Sequence, residues 1–259
     1  MLKQKLKANG HSFGAMVFEF LVPGIAQLSK NAGAEFVLYD MEHSGIGIES
    51  IKAQVAYCRG LDLAPLVRVP TTEYDQIATI LDAGAHGIMV PMVDSAEQAA
   101  FIASCTHYAP VGRRGAGFLM AHDDYKHGDP VEKIRFANER TLTICQIETV
   151  GGLENVDAIA AMPGVDVLWL GHFDLSNFMG IPGQFQHPEF IAAVKRIAAA
   201  ATRHGKVAAY LAFDESLSAE YWSYGYRMFA YGLDSILYQT GLAAGLSHLR
   251  GLASDKGSR

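Results

Sequence analysis

Residues 141–180 constrain this chain more than any other stretch. They read Thr141-Leu-Thr-Ile-Cys-Gln146-Ile-Glu148, then one helix's worth of residues, then Val165-Asp-Val-Leu-Trp-Leu-Gly171-His-Phe-Asp174-Leu-Ser176. Each apolar run has the length and β-branched character of a buried strand, and each ends in an acid. Between them Leu153, Val156, Ile159 and Ala160 fall at helical spacing. A strand–helix–strand unit of this length implies parallel pairing, since a hairpin needs only a short turn. Parallel neighbours would deliver Glu148 and Asp174 to one rim. Two carboxylates placed together repel, and unless a cation intervenes one must take a proton. A hard divalent metal resolves that conflict.

The same alternation runs through the chain. Strand-like runs fall at 13–20, 35–40, 64–69, 87–91, 141–148, 165–171, 206–212 and 227–232. Helical patterns fall at 24–32, 48–59, 74–82, 95–107, 151–162, 187–204, 215–224 and 235–249. Residues 110–139 form a long Gly- and His-rich excursion with the look of an active-site loop and a short helix. Eight parallel strands in strict alternation with helices predict an α/β fold, a single (β/α)8 (TIM) barrel. The 259 residues are close to the roughly 250 of one such barrel. No linker or longer repeat divides them, so one domain over 1–259 is expected.

Composition removes whole classes of function. The chain is half hydrophobic with a net charge of −6, and no basic cluster interleaves with aromatics, which argues against nucleic acid. No apolar run reaches membrane-spanning length. The basic start, Met1-Leu-Lys-Gln-Lys-Leu-Lys, lacks the apolar core of a secretory signal. Cys58, Cys105 and Cys145 are odd in number without CxxC spacing, which fits a reducing cytoplasm rather than a disulfide framework or thiolate zinc site.

In a barrel the C-terminal strand ends share the rim that carries the active site. The residues there are Asp40, Glu42 and His43 after the second strand, Arg68 in the third, Glu148 ending the fifth and Asp174 after the sixth. Any one alone reads as a cap or loop acid as readily as a functional group. Together they supply a ligand pair, a base and a cation. Glu148 and Asp174 offer oxygens suited to Mg²⁺ or Mn²⁺, with Co²⁺ or Zn²⁺ as further candidates. The competing reading is a buried salt bridge to Arg68 or Arg114. Arg68, in an otherwise apolar strand, must be paired or used. It suits a carboxylate or enolate oxygen beside a metal, or else a structural ion pair with Asp40 or Glu42. His43 is a proton carrier near neutral pH and needs an orienting acid, for which Asp40, Glu42 and Asp82 are candidates. His172 ranks below it. Lys206, the one strand lysine, begins its strand, at the wrong end for a Schiff base. No GxxxxGK[ST], GxGxxG or Gly-x-Ser-x-Gly pattern occurs, and the last two strands are not followed by a glycine-rich phosphate cup.

The stretches Asp40-Met-Glu-His43, Val67-Arg68-Val-Pro, Leu81-Asp82-Ala-Gly-Ala, Val90-Pro-Met-Val-Asp-Ser-Ala-Glu-Gln98, Arg114-Gly-Ala-Gly117, Gln146-Ile-Glu148 and Gly171-His-Phe-Asp174-Leu-Ser176 keep order and spacing over nearly the whole chain. In this set the chain resembles the HpcH/HpaI aldolases, relatives of citrate lyase β. Nearest in pattern are the members acting on 4-hydroxy-2-oxoheptanedioate and 2-dehydro-3-deoxyglucarate. The resemblance implies a cytoplasmic, divalent-metal-dependent (class II) pyruvate aldolase. It would cleave a 4-hydroxy-2-oxo acid, in sugar-acid or aromatic catabolism. It implies Glu148 and Asp174 as metal ligands, Gln146 beside them, and Arg68 on the enolate oxygen. His43 would be the acid/base, oriented by Asp82. Backbone amides at Phe173 and Asp174 would bind the carboxylate, and Leu211 would line the pocket. The partners implied are a 2-oxo acid, an aldehyde and further copies of the chain, as a hexamer (trimer of dimers) with the last helix exchanged; Leu242, Leu246 and Leu249 give that helix an apolar stripe. Oxaloacetate decarboxylation, an acyl-CoA lyase reaction and a non-catalytic barrel are the competing expectations. Two departures stand out. His172-Phe173 replaces the usual Pro-Ala. The loop after Gly117, Phe118-Leu-Met-Ala-His122-Asp123-Asp124, carries acids where arginines are usual, which argues by charge against an acidic acceptor aldehyde.

Overall fold

Eight short, largely buried segments pair in sequence order and close on themselves in the computed structural model, which describes residues 1–255. The strands are β1 (Ser12–Val17), β2 (Phe36–Asp40), β3 (Ala64–Arg68), β4 (Gly87–Val90), β5 (Leu142–Ile147), β6 (Val167–Leu170), β7 (Val207–Ala212) and β8 (Tyr226–Leu233). All are parallel, and β1 pairs with β8 to complete the barrel. The helices are α1 (Leu2–Lys7), α2 (Ile25–Asn31), α3 (Ile48–Tyr57), α4 (Tyr74–Asp82), α5 (Ala96–Thr106), α6 (Pro130–Arg140), α7 (Val150–Glu154), α8 (Val156–Ala161), α9 (His172–Phe178), α10 (Pro188–Arg203), α11 (Glu215–Ser223) and α12 (Asp234–Asp255).

The strands read as continuous apolar runs because both of their faces are covered. Alternate residues separate into two cores. Met16, Phe36, Leu38, Leu66, Met89, Ile144, Trp169 and Met228 fill the barrel interior. Val37, Tyr39, Val67, Ile88, Cys145, Leu168 and Tyr210 pack outward against the helices. The same period of two carries the inward set upward to the rim. After Phe36 and Leu38 comes Asp40; after Leu66, Arg68; after Ile144, Gln146 and Glu148; after Ala209, Leu211. Asp40 and Arg68 are register partners across β2 and β3. Fold and site are thus one consequence of strand alternation.

Three regions depart from the simple alternation. The helix expected over 151–162 is broken into α7 and α8 at Asn155. The basic N-terminal segment is a helix that plugs the closed, N-terminal end: Leu6 joins the interior core, and Lys3, 4 % exposed, reaches Asp166 and the Thr141 carbonyl. The 110–139 excursion packs at the closed end, against α1 and the ends of α3 and α4. Arg59 donates to the Ala121 carbonyl and pairs with Asp124, and Arg140 donates to the His122 carbonyl. Ala121 and Asp124 border a cavity with Ala64, His86 and Leu142, residues at or just before the starts of β3, β4 and β5. This corrects the active-site-loop expectation. Asp123 is held by Lys133, and Asp124 by Arg59, away from the mouth. The charge argument against an acidic acceptor loses its footing with it. Cys58, Cys105 and Cys145 are free and buried. Among the described residues no helix is long and apolar enough to cross a membrane.

Candidate active site

The mouth is built around a buried guanidinium. Arg68, 5 % exposed, donates through Nε to Asp40, which is fully buried, and lies 3.0 Å through Nη1 from Glu42 Oε2. Both ion-pair partners that the sequence offered are therefore used. The other Asp40 carboxyl oxygen accepts from the His43 backbone N–H at 2.8 Å, so one acid positions the cation and the loop that follows it. The Phe18 ring lies 5.6 Å from the Arg68 guanidinium carbon. Arg68 Nη2 has no protein partner among the described residues.

Glu148 continues the inward side of β5 and is 2 % exposed. It accepts from the Met92 backbone N–H at 2.7 Å and from Gln146 Nε2. Burial first, then the charges of Glu42 and Asp174, push its carboxyl up to about 7. Burial likewise raises Glu42, against the pull of Arg68 and with further push from Asp40 and Asp174. Asp174 sits half-buried in the first turn of α9. Glu42, Glu148 and Asp174 thus act on one another across the mouth. The neighbouring Gly171 permits the approach. A Cβ there would stand 2.4 Å from Glu148 Oε2 and 2.7 Å from Gln146 Nε2, so any side chain would collide.

This site fits a divalent cation. Four acids (Asp40, Glu42, Glu148 and Asp174) gather at the mouth, where Arg68 pairs with the first two, and Gln146 Oε1 is buried without a partner. Among the described residues no group of three or more His, Cys, Asp or Glu side chains is arranged to hold a metal. Two carboxylates whose charges act on each other, Glu148 and Asp174, beside the unpartnered Gln146 Oε1 are a donor set suited to a hard ion that keeps part of its hydration.

The remaining expected residues are placed as follows. His43 is exposed, its Nε2 3.8 Å from Glu42 Oε2. Asp82 is not brought to it. Helices return from the mouth toward the closed end, and Asp82 is the last residue of α4, bonded to Arg114 Nη2 at 2.6 Å. Among the described residues no hydrogen bond or ion pair joins Asp82 to His43. Leu211 lies on the inward face of β7, half-buried on the interior core. Phe173 is 56 % exposed, in a group of rings with His172, Phe185 and Phe213. His172 is buried behind it, not free in the mouth. Sequence reasoning did not place Phe18, Phe213 and Leu233 in the site. Phe18 was within reach of it, since it follows Met16 at the inward spacing.

A closed parallel barrel with crowded, buried carboxylates and one guanidinium at its C-terminal rim is the architecture of a barrel enzyme. The chain belongs to the HpcH/HpaI aldolase/citrate lyase family, whose model matches residues 21–240. It is 34% identical over 240 residues to a hydroxypyruvate/pyruvate aldolase of Pseudomonas aeruginosa, covering 93% of this chain and 89% of that one. It is also 34% identical to a 4-hydroxy-2-oxovalerate aldolase of Novosphingobium aromaticivorans, covering 88% and 86%. The crystal structure of an HpcH/HpaI aldolase from Desulfitobacterium hafniense superposes with a TM-score of 0.92 at 30% identity, over 96% of each chain. The protein is an enzyme of the carbon–carbon lyase class, an aldolase.

Proposed function

We propose that the protein is a divalent-metal-dependent pyruvate aldolase that reversibly cleaves a 4-hydroxy-2-oxo acid to pyruvate, or a close 2-oxo acid, and an aldehyde. The observation that carries this is the excess of buried carboxylate around Glu148 and Asp174 beside Gln146 and Arg68. Glu148 and Asp174 would hold a Mg²⁺ or Mn²⁺ ion, which would supply Lewis acidity for the negative charge that develops on the 2-oxo acid.

The chain's own residues do the rest. Arg68 Nη2 meets the charge that develops on the keto oxygen during cleavage, held in place by Asp40 and Glu42. Gln146 orients the keto acid, the backbone around Phe173 and Asp174 receives its carboxylate, and Leu211 borders its methyl group. His43, at the wet edge, takes the proton of the C4 hydroxyl. The C3–C4 bond breaks, its electron pair moves to C3, and the aldehyde leaves. A proton delivered to C3 then completes the methyl group of pyruvate.

The fold also supports assembly with further copies. In a (β/α)8 barrel the eighth helix covers the wall between the last and first strands. Here the start of α12 is anchored by Asp234, which accepts from the backbone N–H groups of Phe18, Glu19 and Phe20. Residues 236–253 are exposed, Leu242, Leu246 and Leu249 among them. The wall they leave shows Phe13, Trp222 and Tyr231, each nearly half exposed. A second copy's α12 on that wall would bury both surfaces, as the exchanged-helix hexamer requires. Asp82, partly exposed at the far end of α4, would then orient a His43 on another copy rather than its own.

The test is release of pyruvate from a 4-hydroxy-2-oxo acid after exhaustive chelation. Activity is expected to vanish and to return with Mg²⁺ or Mn²⁺; undiminished turnover in chelator overturns the proposal. Oxaloacetate and an acyl-CoA ester in the same panel separate decarboxylation and ester cleavage from aldol chemistry.

A further inference from the structure

The mouth has two unlike halves. The charged side chains that act on one another there come from β2, β3, β5 or the segments just after β2 and β6: Asp40, Glu42, Arg68, Glu148 and Asp174. The side at the end of β7 is apolar: Leu211 is half-buried on the interior core. Above Leu211, the rings of Phe173 and Phe213 meet edge to face at 6.3 Å, and Phe185 braces Phe173 at 5.2 Å. Phe173 is held by neighbouring rings yet leaves more than half of its surface to solvent. A fixed, exposed aromatic face beside a polar site is what an apolar ligand group covers.

The rim loops on this side also lack cations. Residues 18–24, 171–187, 213–217 and 232–236 contain no lysine or arginine, while Asp214 and Glu215 follow Phe213 directly. A carboxylate or phosphate on the aldehyde half of the substrate would find no partner there and two acids nearby. A polyol would leave its hydroxyls against phenyl rings.

Resting on the aldolase reading above, we propose that the aldehyde half of the substrate carries an aryl or alkyl group seated on Phe173 and Phe213. The charged half holds the 2-oxo acid, the aromatic half the aldehyde side chain, and the bond between C3 and C4 lies across the division. Specificity is then set by burial of apolar area, which in a pocket of this kind separates substrates by about 10- to 200-fold.

The experiment compares kcat/KM for three 4-hydroxy-2-oxo acids bearing phenyl, hydroxymethyl or carboxyethyl at C4, using the Mn²⁺-loaded protein. Phenyl is expected to lead hydroxymethyl by about tenfold or more, with carboxyethyl last. Phe173→Ala, at a solvent-facing position, is expected to cut the phenyl-to-hydroxymethyl ratio by about tenfold; Phe213→Leu gives an independent, smaller cut in the same ratio. Deuterium exchange into the methyl group of pyruvate by the unaltered protein reads the other half of the site by itself. Exchange together with a flat panel, or with carboxyethyl in the lead, overturns this inference and leaves the aldolase reading standing. Absence of exchange overturns both.

Discussion

Both ends of the barrel bury charge, and they treat it differently. At the closed end Lys3 is matched by Asp166 at 2.8 Å and by the Thr141 carbonyl at 2.7 Å, and Asp166 also accepts from the Thr143 N–H. Lys206 donates to the Met162 and Val165 carbonyls. Each ammonium has a partner within reach, and the cluster ties α1 to the barrel floor. At the mouth, Arg68 pairs with Asp40 and Glu42 while Glu148 and Asp174 go without a cation of their own, and burial with mutual repulsion lifts Glu148 to about 7. Balanced buried charge holds a fold together, whereas unbalanced buried charge is maintained against stability and marks a place where something binds.

The largest expected effect comes from removing the imbalance. Glu148→Gln should lower kcat/KM for retro-aldol cleavage by about a thousandfold or more. The metal-free protein should meanwhile become more resistant to urea, because a buried repelling carboxylate is gone. Loss of both activity and stability would mean that the mouth is as structural as the floor. Arg68→Lys comes next. A point charge cannot satisfy Asp40, Glu42 and a substrate oxygen together, so kcat should fall about a hundredfold. Wild-type kcat would assign Arg68 to the fold alone.

The floor should respond in the opposite sense. Lys3→Met leaves Asp166 buried and without its cation. The denaturation midpoint should drop by an amount equivalent to about 3 kcal/mol, while kcat/KM of the folded protein stays at its wild-type value. A change in kcat/KM with unaltered stability would break the division between the two ends.

A pH dependence is expected as well. Burial, with help from Arg140, lowers His86 to about 3, and burial lowers His172 to about 4. Both are neutral in the folded chain at pH 5, whereas an unfolded chain protonates them near 6.5. The unfolded state therefore binds more protons below pH 6.5, and stability falls as pH drops from 6.5 toward 4. At pH 5 the loss is on the order of 2 kcal/mol for each group. Glu148 works against this, since its protonation relieves repulsion at the mouth. The measurement therefore belongs in the Glu148→Gln background, where a urea midpoint that stays flat from pH 7 to pH 5 would contradict it.

Much of the barrel was legible because doubly covered parallel strands read as unbroken apolar runs such as Phe36-Val-Leu-Tyr and Val167-Leu-Trp-Leu. Glu148 and Arg68 stood out for a related reason: each continues an inward series of hydrophobic residues with a charge. Asp82 was harder. Its sequence gives a helical position but not which end of the barrel that helix end occupies, nor that Arg114 would come from a distant loop to take it. The α1 plug escaped notice because six residues with three lysines carry too short a pattern to separate a helix from a tail. Of the aromatic side of the mouth only Phe173 was legible, as a departure from the usual Pro-Ala; Phe185 and Phe213, which pack against it, lie far off in sequence and no periodicity links them to it.

The central claim is that Glu148 and Asp174 together grip one divalent ion. Titration of the metal-free protein with Mn²⁺, followed by electron paramagnetic resonance, tests it most directly. The account predicts one bound Mn²⁺ per chain, lost when Glu148→Gln and Asp174→Asn are combined in a chain that still folds. Equally tight Mn²⁺ binding by that double variant would contradict it.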